Sequence, residues 1–314
     1  MRGTQLFLAV MAAMLLVFGI GTAIGNRIAA RAREQDRIAW ARQLNLRIRV
    51  GWVLVLLFAA GFALGEAALA VLFAAASFFA LREFVALTPI RASDYWALVL
   101  AFYVVIPLQY LLVAGGSFAL FTVFIPVYLF LLLPVLMAIA QDTERYLDRV
   151  AKMQWGMMIC VFCVSHAPAV ARLSLPGYDD RGWLLLLYLL LVVFLADLLA
   201  VVASVFWGRT PLRWDPTKSR EGVLAGAIGA VVVGTLLWGI TPFRIWQSTL
   251  MSMAIVGASL LGSVVLTAVE RSLGVRDLTL ESGVPLVHGV LGRIEGLAFA
   301  APVFFHLTLY FFAA

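Results

Sequence analysis

Residues 183–207 read WLLLLYLLLVVFLADLLAVVASVFW, an apolar run of 25 residues broken by one charge, Asp197. A helix rises 1.5 Å per residue, so about 20 such residues cross the ~30 Å hydrocarbon layer of a bilayer. The run therefore predicts a transmembrane helix. Comparable runs bounded by charge lie near 5–25, 97–115, 118–139, 156–174, 222–240, 248–269 and 296–313. The stretch 51–81 is too long for one span, and Gly65-Glu66, which holds its only acid, divides it into two short helices forming a hairpin. The total is ten spans. The runs are continuous and lack the period-2 alternation of an outer-membrane barrel, and lipid admits only backbones that satisfy their own polar groups. The expected fold class is thus all-α, a polytopic transmembrane helical protein.

Composition agrees. Of 314 residues, 64% are hydrophobic and 13% charged, against about 45–50% and 25% in soluble domains, and mean hydropathy is +1.02. A water-soluble enzyme and a disordered chain are excluded. Net charge is +6, and all but four of the 23 Lys and Arg residues fall in the loops 26–50, 81–97, 140–155, 208–222 and 270–295. The exceptions are Arg2, Arg172, Arg181 and Arg244. By the positive-inside rule the charged loops are cytoplasmic and both termini face outward, as in a multi-pass protein of a bacterial inner membrane. The expected organisation is an anchor helix with a basic interfacial segment (1–50), an N-terminal bundle (51–175) and a C-terminal bundle (176–314). Cys160 and Cys163 form a C-x-x-C inside an apolar run and read as packing residues.

Polar residues gather in the last third of the chain. An ionised carboxylate such as Asp197 costs about 2.5–3.5 kcal/mol at the centre of a spanning helix, so a charge there is usually paired or functional. In the loop 208–222, Asp215-Pro216 reads as an N-cap followed by proline at the first helical position. That start puts Lys218, Ser219 and Arg220 in the first turn, just after Arg209 and Arg213. Free N–H groups, the positive end of the helix dipole and several cations suit a phosphate; a solvated basic loop obeying the same charge rule reads alike. Gly222, Gly226 and Gly229 follow, and permit a neighbouring backbone to come close. A third patch runs from Glu270-Arg271 through Arg276-Asp277 to His288, Arg293 and Glu295. Alternating cations and acids there can hold an anion and a divalent ion, as can salt-bridged helix ends. The isolated His166 and His306 read as core residues.

These residues resemble the phosphatidate cytidylyltransferases over most of the chain. That family opens a span with S-P-x-K-T-x-E-G, matched here by Asp215-Pro216-Thr217-Lys218-Ser219-Arg220-Glu221-Gly222. Its later motifs match Gly262-Ser263, Glu270-Arg271, Arg276-Asp277, Pro285 through Leu297, and Ala301-Pro302-Val303-Phe304-Phe305. The resemblance implies transfer of a cytidylyl group from CTP to phosphatidic acid in phospholipid biosynthesis, in a Mg²⁺-dependent homodimer with no nucleic-acid partner. It implies catalytic roles for Lys218, Glu221 and Arg293, and phosphate contacts from Arg209, Arg213, Ser219, Arg271, Arg276 and His288. The departures fall on the family's acids. Ser263 and Gly292 stand where it has metal-binding aspartates, and Val201 where it has a third, with Asp197 one turn earlier on the same face. Asp197, Asp277 and Glu295 are the carboxylates left to hold a metal. Two expectations follow: a nucleotidyltransferase of this family, or a catalytically degenerate relative that binds an anionic lipid or nucleotide as partner or regulator.

Overall fold

A computed structural model describes residues 3–31, 45, 48–49, 51–53, 55–56, 59, 63, 65–88, 90–178, 181–212, 215, 218–273 and 289–312. Among these residues the regular elements are helices: α1 (Gly3–Arg31), α2 (Glu66–Ala86), α3 (Ala92–Ala114), α4 (Phe118–Ile139), α5 (Tyr146–Ala171), α6 (Gly182–Trp207), α7 (Arg220–Ile240), α8 (Ile245–Ser272) and α9 (Val290–Phe312). The eight from α2 to α9 are long and apolar enough to cross a membrane. The chain is an all-α polytopic protein. The first expected span falls within α1, and the first half of the expected hairpin lies in a stretch, 51–64, that is described only in part. The break between the halves is where the sequence places it: Gly65 has φ +82°, a left-handed conformation that glycine adopts at no steric cost, and α2 begins at the next residue. The second half is not short, however. It continues past residue 81 as a 21-residue helix, because Arg82 and Glu83 extend it beyond the apolar run.

The chain divides into two compact units, each drawn from two separate stretches: Met1–Gly65 with Trp183–Val256, and Glu66–Gly182 with Gly257–Ala314. In the first unit the Phe18 ring packs 6.2 Å from Trp52 and 5.4 Å from Phe194. The Trp52 indole N–H donates to Thr22 Oγ1 at 2.9 Å. The buried Tyr188 hydroxyl donates to the Ser248 carbonyl at 2.8 Å and lies 2.7 Å from Ser252 Oγ, while Ser248 Oγ donates to the Gly234 carbonyl at 2.9 Å. Hydroxyl bonds of this kind tie helices together where lipid offers no hydrophobic drive for association.

The second unit has its own polar ties. Tyr110 and Ser77 hydroxyls meet at 2.6 Å, and the Gln109 amide donates to Ser165 Oγ at 3.1 Å. His166 is buried as expected, whereas His306, read the same way, is exposed; the His166 Nδ1 donates to the Phe162 carbonyl at 2.8 Å and its ring packs 5.3 Å from Phe305. At one end of the unit, Arg149 is buried with its side chain only 4% exposed. It donates to Ser93 Oγ at 2.7 Å, Asp94 Oδ1 at 3.0 Å, Asp142 Oδ2 at 3.2 Å and the Asp142 carbonyl at 2.5 Å. Arg91 pairs with the same Asp142 at 3.0 Å and with Glu144 at 2.5 Å.

Candidate functional site

The first part of the site rests on how α6 meets α7. A Cβ on Gly226 would lie 2.5 Å from the Ala200 backbone nitrogen, and one on Gly222 would overlap Ser204. The two helices therefore touch backbone to backbone, the use expected for these glycines. Asp197, Ala200 and Ser204 succeed each other at spacings of three and four, which puts all three on one face of α6. Gly226→Val is expected to destabilise the first unit by about 1–3 kcal/mol through this overpacking. Unfolding in detergent with added denaturant measures it, and wild-type stability would contradict the contact.

The start of α7 differs from the sequence expectation. Ser219, not Asp215, is the N-cap: its Oγ accepts from the Gly222 N–H at 2.9 Å, and helical geometry begins at Arg220. Two capping signals compete four residues apart, and packing selects the second. The Ser219 N–H donates to Ser204 Oγ on α6 at 2.8 Å, while upstream the chain folds back on itself. Leu212 N–H donates to the Lys218 carbonyl at 2.9 Å, Arg220 N–H to the Thr210 carbonyl at 3.0 Å, and Lys218 N–H to the Asp215 carbonyl at 3.1 Å. Asp215 and Lys218 accordingly stand in a turn before the helix. A neutral hydroxyl, not a carboxylate, occupies the cap.

This fold-back directs Lys218 at α6. Its ammonium lies 2.8 Å from Asp197 Oδ1 and 3.5 Å from Asp215 Oδ2. The Lys218 side chain is 8% exposed and that of Asp197 40%, so the pair is buried on the lysine side and open on the aspartate side. The costly carboxylate in the spanning helix is thereby paired, as its cost demands. Glu221 serves the loop: Oε2 accepts from the backbone N–H groups of Arg209 (3.1 Å) and Thr210 (3.2 Å), and Oε1 from the Thr210 hydroxyl (3.0 Å). Arg209 itself is exposed.

The second part lies in the other unit, where α8 meets α9. Ser263 Oγ donates to Glu295 Oε1 at 3.0 Å, and a Cβ on the preceding Gly262 would lie 2.5 Å from the Glu295 carbonyl oxygen. A carboxylate thus stands beside position 263 although residue 263 is a serine. Arg293 is exposed in the first turn of α9 and Arg271 is exposed in the last turn of α8. Arg271 suits the negative end of its helix; Arg293 opposes the positive end of its own, a local conflict of the kind found at functional positions. Arg213, Arg276, Asp277 and His288 lie outside the described residues.

Two residues to which reading the chain gave no role in the site bear on these parts: Ser204, which anchors the cap of α7, and Glu83, which bonds the start of α9. Each acts on residues far along the chain, so local sequence carries no sign of it.

Comparison with known proteins gives a consistent picture. The profile of the cytidylyltransferase family matches residues 45–311. A protein of Escherichia coli described as uncharacterized protein YnbB is 33% identical over 281 residues, 85% of this chain and 88% of its own length. The phosphatidate cytidylyltransferase of Thermotoga maritima is 30% identical over 177 residues, covering 52% of this chain and 60% of that protein. The phosphatidate cytidylyltransferase of Helicobacter pylori is 32% identical over 149 residues, covering 46% and 54%. The chain thus spans just over half the length of these two enzymes.

Proposed function

We propose, from the premise that this chain belongs to the cytidylyltransferase family, that it transfers the cytidylyl group of CTP to phosphatidic acid. A phosphate oxygen of the lipid attacks the α-phosphorus of CTP and forms a new P–O bond. The bond between the α-phosphorus and the bridging oxygen breaks, and pyrophosphate leaves with that electron pair. Such a transfer needs positioning and charge neutralisation more than covalent chemistry. The observation that supports this reading is Lys218, a buried cation whose backbone N–H and carbonyl are both bonded and whose ammonium faces the half-exposed Asp197 carboxylate. In this reading an incoming phosphate displaces the Asp197 carboxylate from the ammonium, and Arg209 stands exposed at the same loop. Glu221 acts by holding the 208–210 backbone, and Ser219 by fixing where α7 starts.

For Mg²⁺ the described carboxylates fit narrowly. Among the described residues no three His, Cys, Asp or Glu side chains cluster; Asp197 and Asp215 face Lys218, and Glu295 accepts from the Ser263 hydroxyl. Mg²⁺ binds through as few as one carboxylate when substrate phosphates and water complete its shell. Glu295 would hold it, and the ion would supply positive charge to a phosphate bound there. The loop cations support a placement in a bacterial inner membrane with the Lys218 end toward the cytoplasm. A homodimer completes the proposal.

Ser263 and Gly292 favour a second reading, a relative that binds CTP or an anionic lipid without turnover. Purified protein in lipid nanodiscs with CTP, phosphatidic acid and Mg²⁺ is expected to release pyrophosphate. No release under conditions where a family member turns over refutes the enzymatic reading, and heat on CTP titration without release then selects the second.

A further inference from the structure

Glu83 stands in the last turn of α2, where the negative end of its own helix disfavours a carboxylate. The conflict is resolved 207 residues later. Glu83 Oε1 accepts from the Val290 N–H at 2.9 Å and Oε2 from the Leu291 N–H at 2.8 Å. These are the first two residues of α9, whose N–H groups have no partner within their own helix. Such groups are ordinarily satisfied by a Ser, Thr, Asp or Asn just before the helix. Here that position is Gly289, and a Cβ there would overlap the Glu83 carboxyl. The chain has given up a local cap and admits a carboxylate from α2 instead. Bonds from amides to an ionised oxygen are roughly twice as strong as neutral ones, and two side by side fix direction as well as distance.

What this clamp holds is the start of α9. Arg293 follows within one turn, and at Glu295 the helix is held again, by Ser263 Oγ and by the close approach of Gly262. Arg293 therefore sits between two fixed points, one supplied by α2 and one by α8. We propose that Glu83 is a positioning residue for the transfer reaction: it clamps the first turn of α9 and so fixes where Arg293 presents its charge. The inference rests on the cytidylyltransferase reading given above.

The test uses the full-length protein in nanodiscs. Glu83→Ala is expected to speed amide exchange at Val290 and Leu291 by about tenfold, the equivalent of one lost cap. It should lower kcat by roughly 10²-fold, the cost of about 1 Å of misplacement, while KM for CTP stays within about twofold. Glu83→Gln, which keeps the volume and one acceptor, guards against misfolding and should show both effects at smaller size. In Arg293→Ala protein, adding Glu83→Ala should cost no further activity, because the residue it positions is already gone. Turnover retained within twofold in Glu83→Ala overturns the proposal. So does lost turnover with unchanged exchange at 290–291, or full additivity with Arg293→Ala, which marks a general loss of stability. A wild-type protein that turns nothing over refutes the transfer reading and with it the role of Arg293; the exchange measurement in the same samples then decides the clamp alone, and unchanged exchange removes that too.

Discussion

Lys218→Ala is expected to lower pyrophosphate release by on the order of 10³-fold, the scale seen when a cation that offsets transition-state charge is lost in phosphoryl transfer. The geometry makes the loss larger than that of one contact. Lys218 is one of only two lysines in the chain, and it faces the Asp197 and Asp215 carboxylates at 2.8 and 3.5 Å. In the transfer reading, removing it leaves the Asp197 and Asp215 carboxylates beside the position proposed for a phosphate, so repulsion adds to the lost attraction. Lys218→Arg should rescue little, because a planar fork with a longer reach does not fit a buried slot shaped for a compact ammonium. Lys218→Ala with Asp197→Asn should recover part of the lost affinity for CTP by removing one repelling charge. The kcat and KM of the three variants, measured side by side, check these expectations. Equal losses in the single and double variants would show that Asp197 does not face the substrate.

Arg149→Ala is expected to destabilise the second unit by about 3–5 kcal/mol, the range for removing one partner of a buried ion pair. Asp94 is the residue left stranded: its side chain is 4% exposed and the Arg149 guanidinium is 3.0 Å away. Asp142 is only partly buried and keeps Arg91 at 3.0 Å, so it loses less. Arg149→Ala with Asp94→Asn should therefore be more stable than Arg149→Ala alone. The cluster also carries a pH dependence. The Ser93 hydroxyl, the Glu144 backbone N–H, Arg149 and Arg91 hold the Asp142 carboxyl below the usual carboxylate range. A carboxyl with a lowered folded-state pKa contributes stability that is present above its unfolded value, near pH 4, and lost as pH falls through the folded value. Wild-type stability should fall as pH drops below about 4, and the fall should be shallower in Arg149→Ala. Denaturant unfolding across that range checks both statements.

The membrane fold was legible because apolar length is a local property: each of the runs from 97 to 313 became a helix, and Gly65 breaks the chain where its missing side chain predicts. The close α6–α7 contact was legible for a similar reason, since Gly222 and Gly226 repeat at helical spacing. The start of α7 was not, because Asp215-Pro216 and Ser219 are both sound local signals and the decision lies with Ser204 on another helix. Arg149 in the sequence is one more basic residue of a loop-side helix, indistinguishable from Arg145 four residues earlier. Its burial depends on Asp94 in the first turn of α3 and Asp142 in the loop before α5. The site acids divide the same way. Residue 263 reads as a lost aspartate, yet the Glu295 carboxylate 32 residues on reaches its hydroxyl.

The bond from Glu83 to Val290 also sets a timetable. Translation at about 5–20 residues per second takes roughly 10–40 s to make the intervening 207 residues. For the later half of that interval α2 to α5 are already made, while the α9 helix of their unit has yet to be synthesised. Nascent chains stalled before Val290 should therefore be cut more readily by membrane proteases than those stalled after Phe312 has emerged. Assembly of this unit therefore waits on the arrival of α9.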